Sequence, residues 1–249
     1  MSRFTDKVVI VTGAAQGIGE AYARGLAAEG ARVVVADINE EDGARVAEGI
    51  GAEGGEACFV AVDVASPASA QALAEQTVTR YGGIDGLVNN AAIYGAMKFD
   101  LLVTADWDYY KRFMDVNLHG ALVVTRAVYG AMRERGGGSI VNQSSTAAYL
   151  YAGFYGLAKA GINSMTQQLA HELGGMNIRV NAIAPGPIDT EATRTQAGGA
   201  ARDIVAGLAI KRLGVPDDLV GAAMFLLSDD SRWVTGQILA VDGGQTFRL

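Results

Sequence analysis

Tyr155 and Lys159 are the pair of residues in this sequence best suited to moving a proton. They lie in a stretch predicted to be helical from about Phe154 onward, and residues four apart share one face of a helix. A phenol with its ordinary pKa of about 10 is a poor acid or base at neutral pH, but a neighbouring ammonium favours its ionised form. We therefore predict that Lys159 lowers the pKa of Tyr155. The alternative is a helical tyrosine that happens to precede a lysine.

A glycine-rich loop lies between the first predicted strand, residues 7–12, and a helix predicted over residues 18–29. The loop reads Thr-Gly-Ala-Ala-Gln-Gly-Ile-Gly from Thr12 to Gly19. Glycines let the backbone turn sharply and approach a pyrophosphate, whose charge the helix N-terminus stabilises. An ordinary turn is the alternative, but the position between strand and helix favours a dinucleotide site.

Asp37 ends the second predicted strand and follows this loop at the distance expected for a ribose-binding carboxylate. A carboxylate there accepts hydrogen bonds from the adenosine ribose and repels a 2′-phosphate. Residues 14–16 (Ala-Ala-Gln) offer no cation for that phosphate. Both observations favour NAD over NADP as the coenzyme. The alternative role for Asp37 is to cap the helix that follows.

Strands and helices alternate along the whole chain, which places these residues at strand ends. Asn39 and Ser66 are predicted helix caps, with Pro67 in the first turn of its helix, and residues 106–135 form one long helical stretch. Apolar strands between helices predict an α/β fold: a Rossmann-type, doubly wound, seven-stranded parallel sheet with helices on both faces. The predicted strands are residues 7–12, 32–37, 57–63, 86–90, 139–144, 178–184 and 237–241.

Composition limits the classes of function open to the chain. It has 249 residues, half of them hydrophobic, with no repeat or composition shift, so we expect one domain spanning residues 1–249. A formal net charge of −7 argues against a nucleic-acid partner. A single cysteine excludes an intramolecular disulfide, and no apolar run is long enough for a membrane span, so a cytoplasmic protein is expected. No cluster of residues has metal-ligand spacing.

The spacing Thr-Gly-x-x-x-Gly-x-Gly resembles that of the short-chain dehydrogenase/reductase family, and the similarity continues from Lys7 to Gly244. Asn89-Asn90-Ala91-Ala92 resembles the family's Asn-Asn-Ala-Gly motif, with Ala92 in place of glycine. The resemblance implies an NAD-dependent oxidoreductase. It also implies that the coenzyme is bound by Gly13, Gln16, Gly17, Ile18, Gly19, Asp37, Asp63, Val64, Asn90, Ala91, Tyr155, Lys159, Pro185, Gly186, Ile188 and Thr190.

The resemblance also implies a catalytic set of four residues, Asn117, Ser145, Tyr155 and Lys159. In this set the serine hydroxyl binds the substrate oxygen, Lys159 also holds the nicotinamide ribose, and Asn117 anchors a water that links the lysine to solvent. The alternative for Asn117, compatible with that role, is a polar residue that kinks the helix and is satisfied by the backbone. Ten residues separate Ser145 from Tyr155, fewer than is usual in the family. Ser144 therefore stays open as the alternative catalytic serine.

A secondary alcohol and its ketone are the expected substrates, of a hydrophobic or aromatic kind because no arginine clamp is evident. The pocket is predicted to include Tyr94, Met97, Tyr149, Tyr151 and Phe154, with a mobile lid at residues 191–203. The open alternatives are a cis-dihydrodiol dehydrogenase, a 3-oxoacyl reductase, and a catalytically silent NAD-binding regulator. The resemblance implies a homotetramer built through the two central crossover helices and the C-terminal Phe247-Arg248-Leu249.

Overall fold

Seven parallel strands form one sheet in the computed structural model, which describes residues 3–95, 97–98, 100–197 and 201–247. The strands are β1 (Val8–Thr12), β2 (Arg32–Asp37), β3 (Glu56–Ala61), β4 (Gly86–Asn89), β5 (Gly138–Gln143), β6 (Ile178–Pro185) and β7 (Ile238–Val241). Their order in the sheet is β3-β2-β1-β4-β5-β6-β7. Because the order reverses between β1 and β4, a crevice opens there at the carboxyl ends of the strands. The predicted fold class is confirmed.

Helices cover both faces of this sheet because alternate strand residues point to opposite sides. The helices are α1 (Gly17–Ala28), α2 (Glu40–Ala52), α3 (Pro67–Tyr81), α4 (Trp107–Met114), α5 (Gly120–Glu134), α6 (Gly153–Leu173), α7 (Glu191–Ala197), α8 (Ala201–Gly207) and α9 (Asp217–Leu227). Val9 and Val33 pack with α1, α2 and α9, whereas Ile10 and Val34 pack with α3, α5 and α6.

Local capping signals place two of the helix starts. Asn39 accepts a hydrogen bond from the Asp42 amide at the start of α2, and Ser66 accepts one from the Ser69 amide at the start of α3. Both predicted caps are confirmed, since each needs only the cap side chain and a backbone amide a few residues away.

The stretch predicted as one long helix is continuous, but it is not uniform. A π-helical turn, Asp115–His119, separates α4 from α5. Inside this turn the Asn117 side chain donates a hydrogen bond to the carbonyl oxygen of Phe113, 3.1 Å away. Such π-bulges often occur at functional sites.

Among the residues that the structure describes, no helix is both long and apolar enough to cross a membrane.

Candidate active site

A cleft of about 670 Å³ lies at the carboxyl edge of the sheet, across the point where the strand order reverses. It extends from the end of β2 to the end of β6. Every residue that the sequence assigns to the coenzyme lines it: Gly13, Gln16, Gly17, Ile18, Gly19, Asp37, Asp63, Val64, Asn90, Ala91, Tyr155, Lys159, Pro185, Gly186, Ile188 and Thr190.

The glycine-rich loop forms a close turn against the start of α1. Gly13 and Gly17 have φ values of 64° and 59°, in the left-handed region that favours glycine. A Cβ atom on Gly19 would collide with the carbonyl oxygen of Gly13, so only glycine lets these two segments meet. Gln16, which precedes α1, makes no side-chain capping bond. The first-turn amides therefore lack a side-chain cap and are available to an anion such as a pyrophosphate, which fits a dinucleotide at this site.

Thr12 and Asn90 join this loop to the end of β4. The Asn90 side-chain amide donates to the carbonyl oxygens of Thr12 and Gly13, each 3.0 Å away. The Thr12 hydroxyl accepts hydrogen bonds from the amides of Asn90 and Ala91, at 3.0 and 3.1 Å. Asn90 thus shapes the loop as well as lining the cleft. Sequence reasoning did not assign Thr12 this bracing role.

Asp37 closes the adenosine end of the cleft. One carboxylate oxygen accepts a hydrogen bond from the Ala15 amide at 2.9 Å, and the other accepts one from the Asn39 amide at 3.0 Å. Asn39, not Asp37, caps the following helix. The carboxylate therefore faces the loop and the cleft, where it is only partly exposed.

Arg45 also lines this end of the cleft, and sequence reasoning missed it because it comes from α2 and not from the loop. Its guanidinium lies 3.2 Å from an Asp42 oxygen and 3.7 Å from a Glu20 oxygen. Two carboxylates therefore flank Arg45, and Asp37 adds a third to the same stretch of the cleft wall. The local charge is therefore negative.

Asp63 and Arg112 form the neighbouring wall. One Asp63 oxygen accepts a hydrogen bond from the Ala65 amide at 3.0 Å, and the other lies 3.3 Å from the Arg112 guanidinium. Val64, beside them, is buried and lines the cleft. Arg112, on α4, is a second cleft residue that sequence reasoning missed.

At the opposite end of the cleft, Tyr155 and Lys159 project from the first turns of α6, as their spacing predicts. The Tyr155 phenol is hydrogen-bonded to the Ser145 side chain. The Lys159 ammonium nitrogen lies 2.8 Å from the carbonyl oxygen of Gln143 and 5.8 Å from the centre of the Tyr155 ring. A phenol, a hydroxyl and an amine therefore meet at this end of the cleft, the amine buried and the other two residues partly exposed.

The predicted effect of Lys159 on Tyr155 is wrong for this structure. Burial raises the pKa of Tyr155; the hydrogen bond to Ser145 lowers it by a smaller amount, and the nearby Tyr94 raises it slightly. The Lys159 ammonium is bonded to the Gln143 carbonyl oxygen, 5.8 Å from the centre of the Tyr155 ring, and it does not offset the effect of burial. Burial also lowers the pKa of Lys159 to about 8.

The two adjacent serines at the end of β5 point to different partners. The Ser144 hydroxyl donates to the Asn163 side-chain oxygen at 2.5 Å, two turns further along α6 than Tyr155. Ser145 accepts a hydrogen bond from the Ala147 amide at 3.1 Å and bonds to Tyr155. The geometry therefore brings Ser145, and not Ser144, to the phenol.

Asn117 lies behind the cleft and not in it. With Lys159 and Asn89 it lines a separate cavity of about 10 Å³, close to the volume that one water needs. The side-chain oxygens of Asn117 and Asn89 are sealed from solvent and have no hydrogen-bond partner among the described residues. A water in this cavity would satisfy both.

Of the five residues predicted to form an aromatic substrate pocket, only Tyr94 lines the cleft, its ring centre 5.4 Å from that of Tyr155. Met97 and Phe154 are instead buried in a small core beneath Tyr155, where the Phe154 ring packs edge-on against Phe113 at 4.7 Å. Met97 and Phe154 bury apolar surface against Phe113 and Met114 on α4, so they pack this core and do not line the cleft. The remaining two, Tyr149 and Tyr151, are exposed outside the cleft.

The segment predicted as a loop-like lid is partly helical. Residues 191–197 form α7 and residues 201–207 form α8, while 198–200 lie outside the described residues. Glu191, Ala192 and Thr193 line the cleft beside Thr190. The start of α7 is therefore part of the cleft wall.

Comparison with known proteins agrees with this arrangement. Residues 13–246 match a family model described as enoyl-(acyl carrier protein) reductase. An uncharacterized oxidoreductase of Mycobacterium tuberculosis is 63% identical over 98% of this chain and 99% of its own. A 7α-hydroxysteroid dehydrogenase of Bacteroides fragilis is 36% identical over 99% of this chain and 96% of its own. A short-chain type dehydrogenase/reductase from Mycobacterium marinum superposes with a TM-score of 0.93 at 30% identity, covering 98% of this chain and 97% of that one.

Proposed function

Because the chain belongs to the short-chain dehydrogenase/reductase family, we propose that it interconverts a secondary alcohol and its ketone with NAD(H) as coenzyme. One observation carries the proposal. Tyr155, Ser145 and Lys159 meet at one end of a single cleft whose other end holds Asp37 and the glycine-rich loop. The whole chain, residues 1–249, would work as one dinucleotide-binding oxidoreductase domain.

A nicotinamide coenzyme held by the glycine-rich loop and Asp37 would supply the acceptor for the hydride of the alcohol carbon, or the donor for the ketone. The chain's own residues handle the oxygen and its proton. The Ser145 hydroxyl and the Tyr155 phenol are hydrogen-bonded neighbours, so one substrate oxygen placed between them contacts both. Tyr155 takes the alcohol proton during oxidation and donates it during reduction, while Ser145 stabilises charge on the oxygen.

Proton exchange with solvent is proposed to pass through Lys159. Its pKa, lowered to about 8, lets both protonation states exist near neutral pH. The cavity behind it joins Lys159 to the unpartnered side-chain oxygens of Asn117 and Asn89. A water held there would accept a proton from the amine or return one to it.

The negative charge of the adenosine end supports NAD over NADP. Arg45 is paired with Asp42 and Glu20, and Arg112 with Asp63, so the unpaired charge of Asp37 leaves this end negative and a 2′-phosphate would meet net repulsion. Measuring kcat/KM with each coenzyme and one alcohol tests this. Equal or better performance with NADP would contradict the proposal.

A hydrophobic alcohol is the proposed substrate class. Tyr94, Ile93 and Ile188 line the reacting end of the cleft, whereas its described arginines, Arg45 and Arg112, lie at the adenosine end in ion pairs. The similarity to a hydroxysteroid dehydrogenase supports a bulky apolar alcohol. A panel of alicyclic, aromatic and acyl-thioester compounds tests this, and activity confined to thioesters would favour the rival 3-oxoacyl reductase.

Replacing Tyr155 with phenylalanine tests the mechanism itself. We expect turnover to fall about 10²- to 10⁴-fold, the usual worth of general acid–base catalysis, with NADH affinity nearly unchanged. Tyr151→Phe is the matched control, because Tyr151 is exposed outside the cleft and should keep full activity. Full turnover by Tyr155→Phe would contradict the proposed mechanism and favour the alternative function, a catalytically silent NAD-binding regulator.

A homotetramer is also proposed. Among the described strands β7 pairs with β6 alone, and apolar side chains on β7 and in the segment before it are exposed at Phe225, Trp233 and Leu239. An open strand edge can pair with another chain, and exposed apolar side chains beside it favour such a contact. Light scattering on the purified protein tests this, and a monomer at micromolar concentration would contradict it.

Two of the three C-terminal residues predicted to take part in the tetramer, Arg248 and Leu249, lie outside the described residues. The cytoplasmic location stays a prediction.

A further inference from the structure

Gln143, the last residue of β5, has a buried amide whose two ends have different surroundings. Its side-chain oxygen accepts a hydrogen bond from the Tyr22 phenol at 3.0 Å, and Tyr22 is fully buried on α1. The amide nitrogen donates to no residue that the structure describes, and the side chain lines the coenzyme cleft. The donor end of the amide is therefore directed away from Tyr22, toward the cleft.

The location of Gln143 selects the part of the coenzyme that it faces. Its backbone oxygen holds the Lys159 ammonium at 2.8 Å, and Ser145 lies two residues further along. Its partner on β6 is Ile183, so Pro185 and the chain end of β6 lie directly beyond it. Gln143 thus belongs to the reacting end of the cleft, far from Asp37.

The amide nitrogen is open to the cleft, since the described side-chain polar atoms that are both sealed from solvent and unpartnered are Tyr81 Oη, Asn89 Oδ1 and Asn117 Oδ1. A ligand that displaces water from this part of the cleft would leave the donor unpaired unless the ligand itself accepts from it. Tyr22 prevents the amide from turning inward, because rotation would leave the buried phenol without its acceptor. An amide held in this way is preorganised for one acceptor in the cleft. The carboxamide of a nicotinamide ring has such an oxygen.

We propose that Gln143 is a coenzyme-binding residue whose side-chain amide donates a hydrogen bond to the nicotinamide carboxamide oxygen. Tyr22 is the positioning residue that orients this amide. The inference rests on the proposed use of NAD(H) and adds a contact specific to the nicotinamide end.

Three variants test it: Gln143→Met, Tyr22→Phe, and the two combined. Methionine keeps the volume of glutamine but removes the amide donor, so Gln143→Met should bind NADH less tightly. It also leaves the buried Tyr22 phenol without an acceptor, so the variant should unfold at a lower temperature. The double variant removes both partners together, which restores much of the stability. It remains a folded protein without the amide.

Fluorescence titration with NADH and competition with ADP-ribose, which lacks nicotinamide, give the readout. We expect Gln143→Met and the double variant to bind NADH about 3- to 10-fold more weakly, the worth of one hydrogen bond, with ADP-ribose affinity unchanged. Tyr22→Phe should lose less NADH affinity than Gln143→Met and should keep its ADP-ribose affinity, because the Gln143 amide is still present but no longer oriented by the phenol.

Two results would overturn the assignment of Gln143. One is a stable double variant that binds NADH as tightly as the unmodified protein. The other is an equal loss for NADH and ADP-ribose, which would place the contact at the phosphates or the ribose. Failure of the unmodified protein to bind NADH would refute the proposed function as well, so the two failures are distinguishable.

Discussion

Replacing Asp37 with serine should shift coenzyme preference from NAD toward NADP. Asp37 is partly exposed, lines the adenosine end of the cleft, and accepts hydrogen bonds from two backbone amides, those of Ala15 and Asn39. The substitution removes one negative charge from the surroundings of the ribose. Serine still offers an oxygen to the backbone amides, so we expect the fold to survive.

The size of the shift follows from charge and solvent exposure. Two unit charges about 4 Å apart interact by about 4 kcal/mol at an effective dielectric constant near 20. Solvent screening at this partly exposed site reduces the repulsion to about 2 kcal/mol, a gain of about 30-fold for NADP. Loss of charge-assisted hydrogen bonds from the ribose costs NAD about 1.5 kcal/mol, or about 10-fold. The preference should therefore move by about 300-fold in total.

The assay compares kcat/KM for both coenzymes with one alcohol, supported by titration of NADH and NADPH. Arg45→Ala in the Asp37→Ser background is the matched control, because Arg45 is the cation at this end of the cleft. Its removal should reverse part of the NADP gain without changing NAD. A folded Asp37→Ser variant with an unchanged ratio would refute the electrostatic reasoning.

Three further predictions concern the buried groups. Because burial raises the pKa of Tyr155, log kcat/KM for alcohol oxidation should rise by about one per pH unit through the neutral range; a flat profile would contradict this. Lys159→Met should abolish turnover, yet its free energy of unfolding at pH 7 should be about 2 kcal/mol higher than that of the unmodified protein. Keeping the buried amine charged, with its pKa lowered from 10.5 to about 8, costs the folded state about 3 kcal/mol, and the hydrogen bond to Gln143 offsets about 1 kcal/mol of that cost. Between pH 8 and 10.5 Lys159 is protonated in the unfolded chain but not in the folded protein, so the unmodified protein gains stability as the pH rises. The stability advantage of Lys159→Met, measured by chemical denaturation, should therefore fade over that pH range. Gly19→Ala should abolish NADH binding because its Cβ would collide with Gly13, whereas Gly51→Ala, which has nothing within 4 Å of the added atom, should bind normally.

Local signals in the sequence predicted the elements well. Strand β2 has the predicted bounds, and the other strand ends differ by a residue or two, since a strand's limits depend on where its neighbours stop pairing. The caps Asn39 and Ser66 are satisfied within three residues, so no distant contact decides them. The sequence offered a helix irregularity at Asn117 as an alternative, and the bond from its side chain to the Phe113 carbonyl oxygen agrees with it; that the irregularity is a π-helical turn came only from the structure.

Distant contacts explain what sequence reasoning missed at the site. Spacing left Ser144 and Ser145 both open, and the partner Asn163, almost twenty residues away, is what turns Ser144 away from the phenol. Aromatic composition predicted a tyrosine-lined pocket, but packing against Phe113 buried Phe154 beneath it. Neither contact has a signature in the neighbouring residues.

The sequence by itself determined the order of strands and helices, the loop that meets a pyrophosphate, and the shared helix face of Tyr155 and Lys159. These follow from backbone periodicity and from what glycine alone permits. Only the tertiary structure decided how much water surrounds each group. Burial, which depends on every element packed around the site, raises the pKa of the phenol and lowers that of the amine, against the effect that their proximity alone predicts.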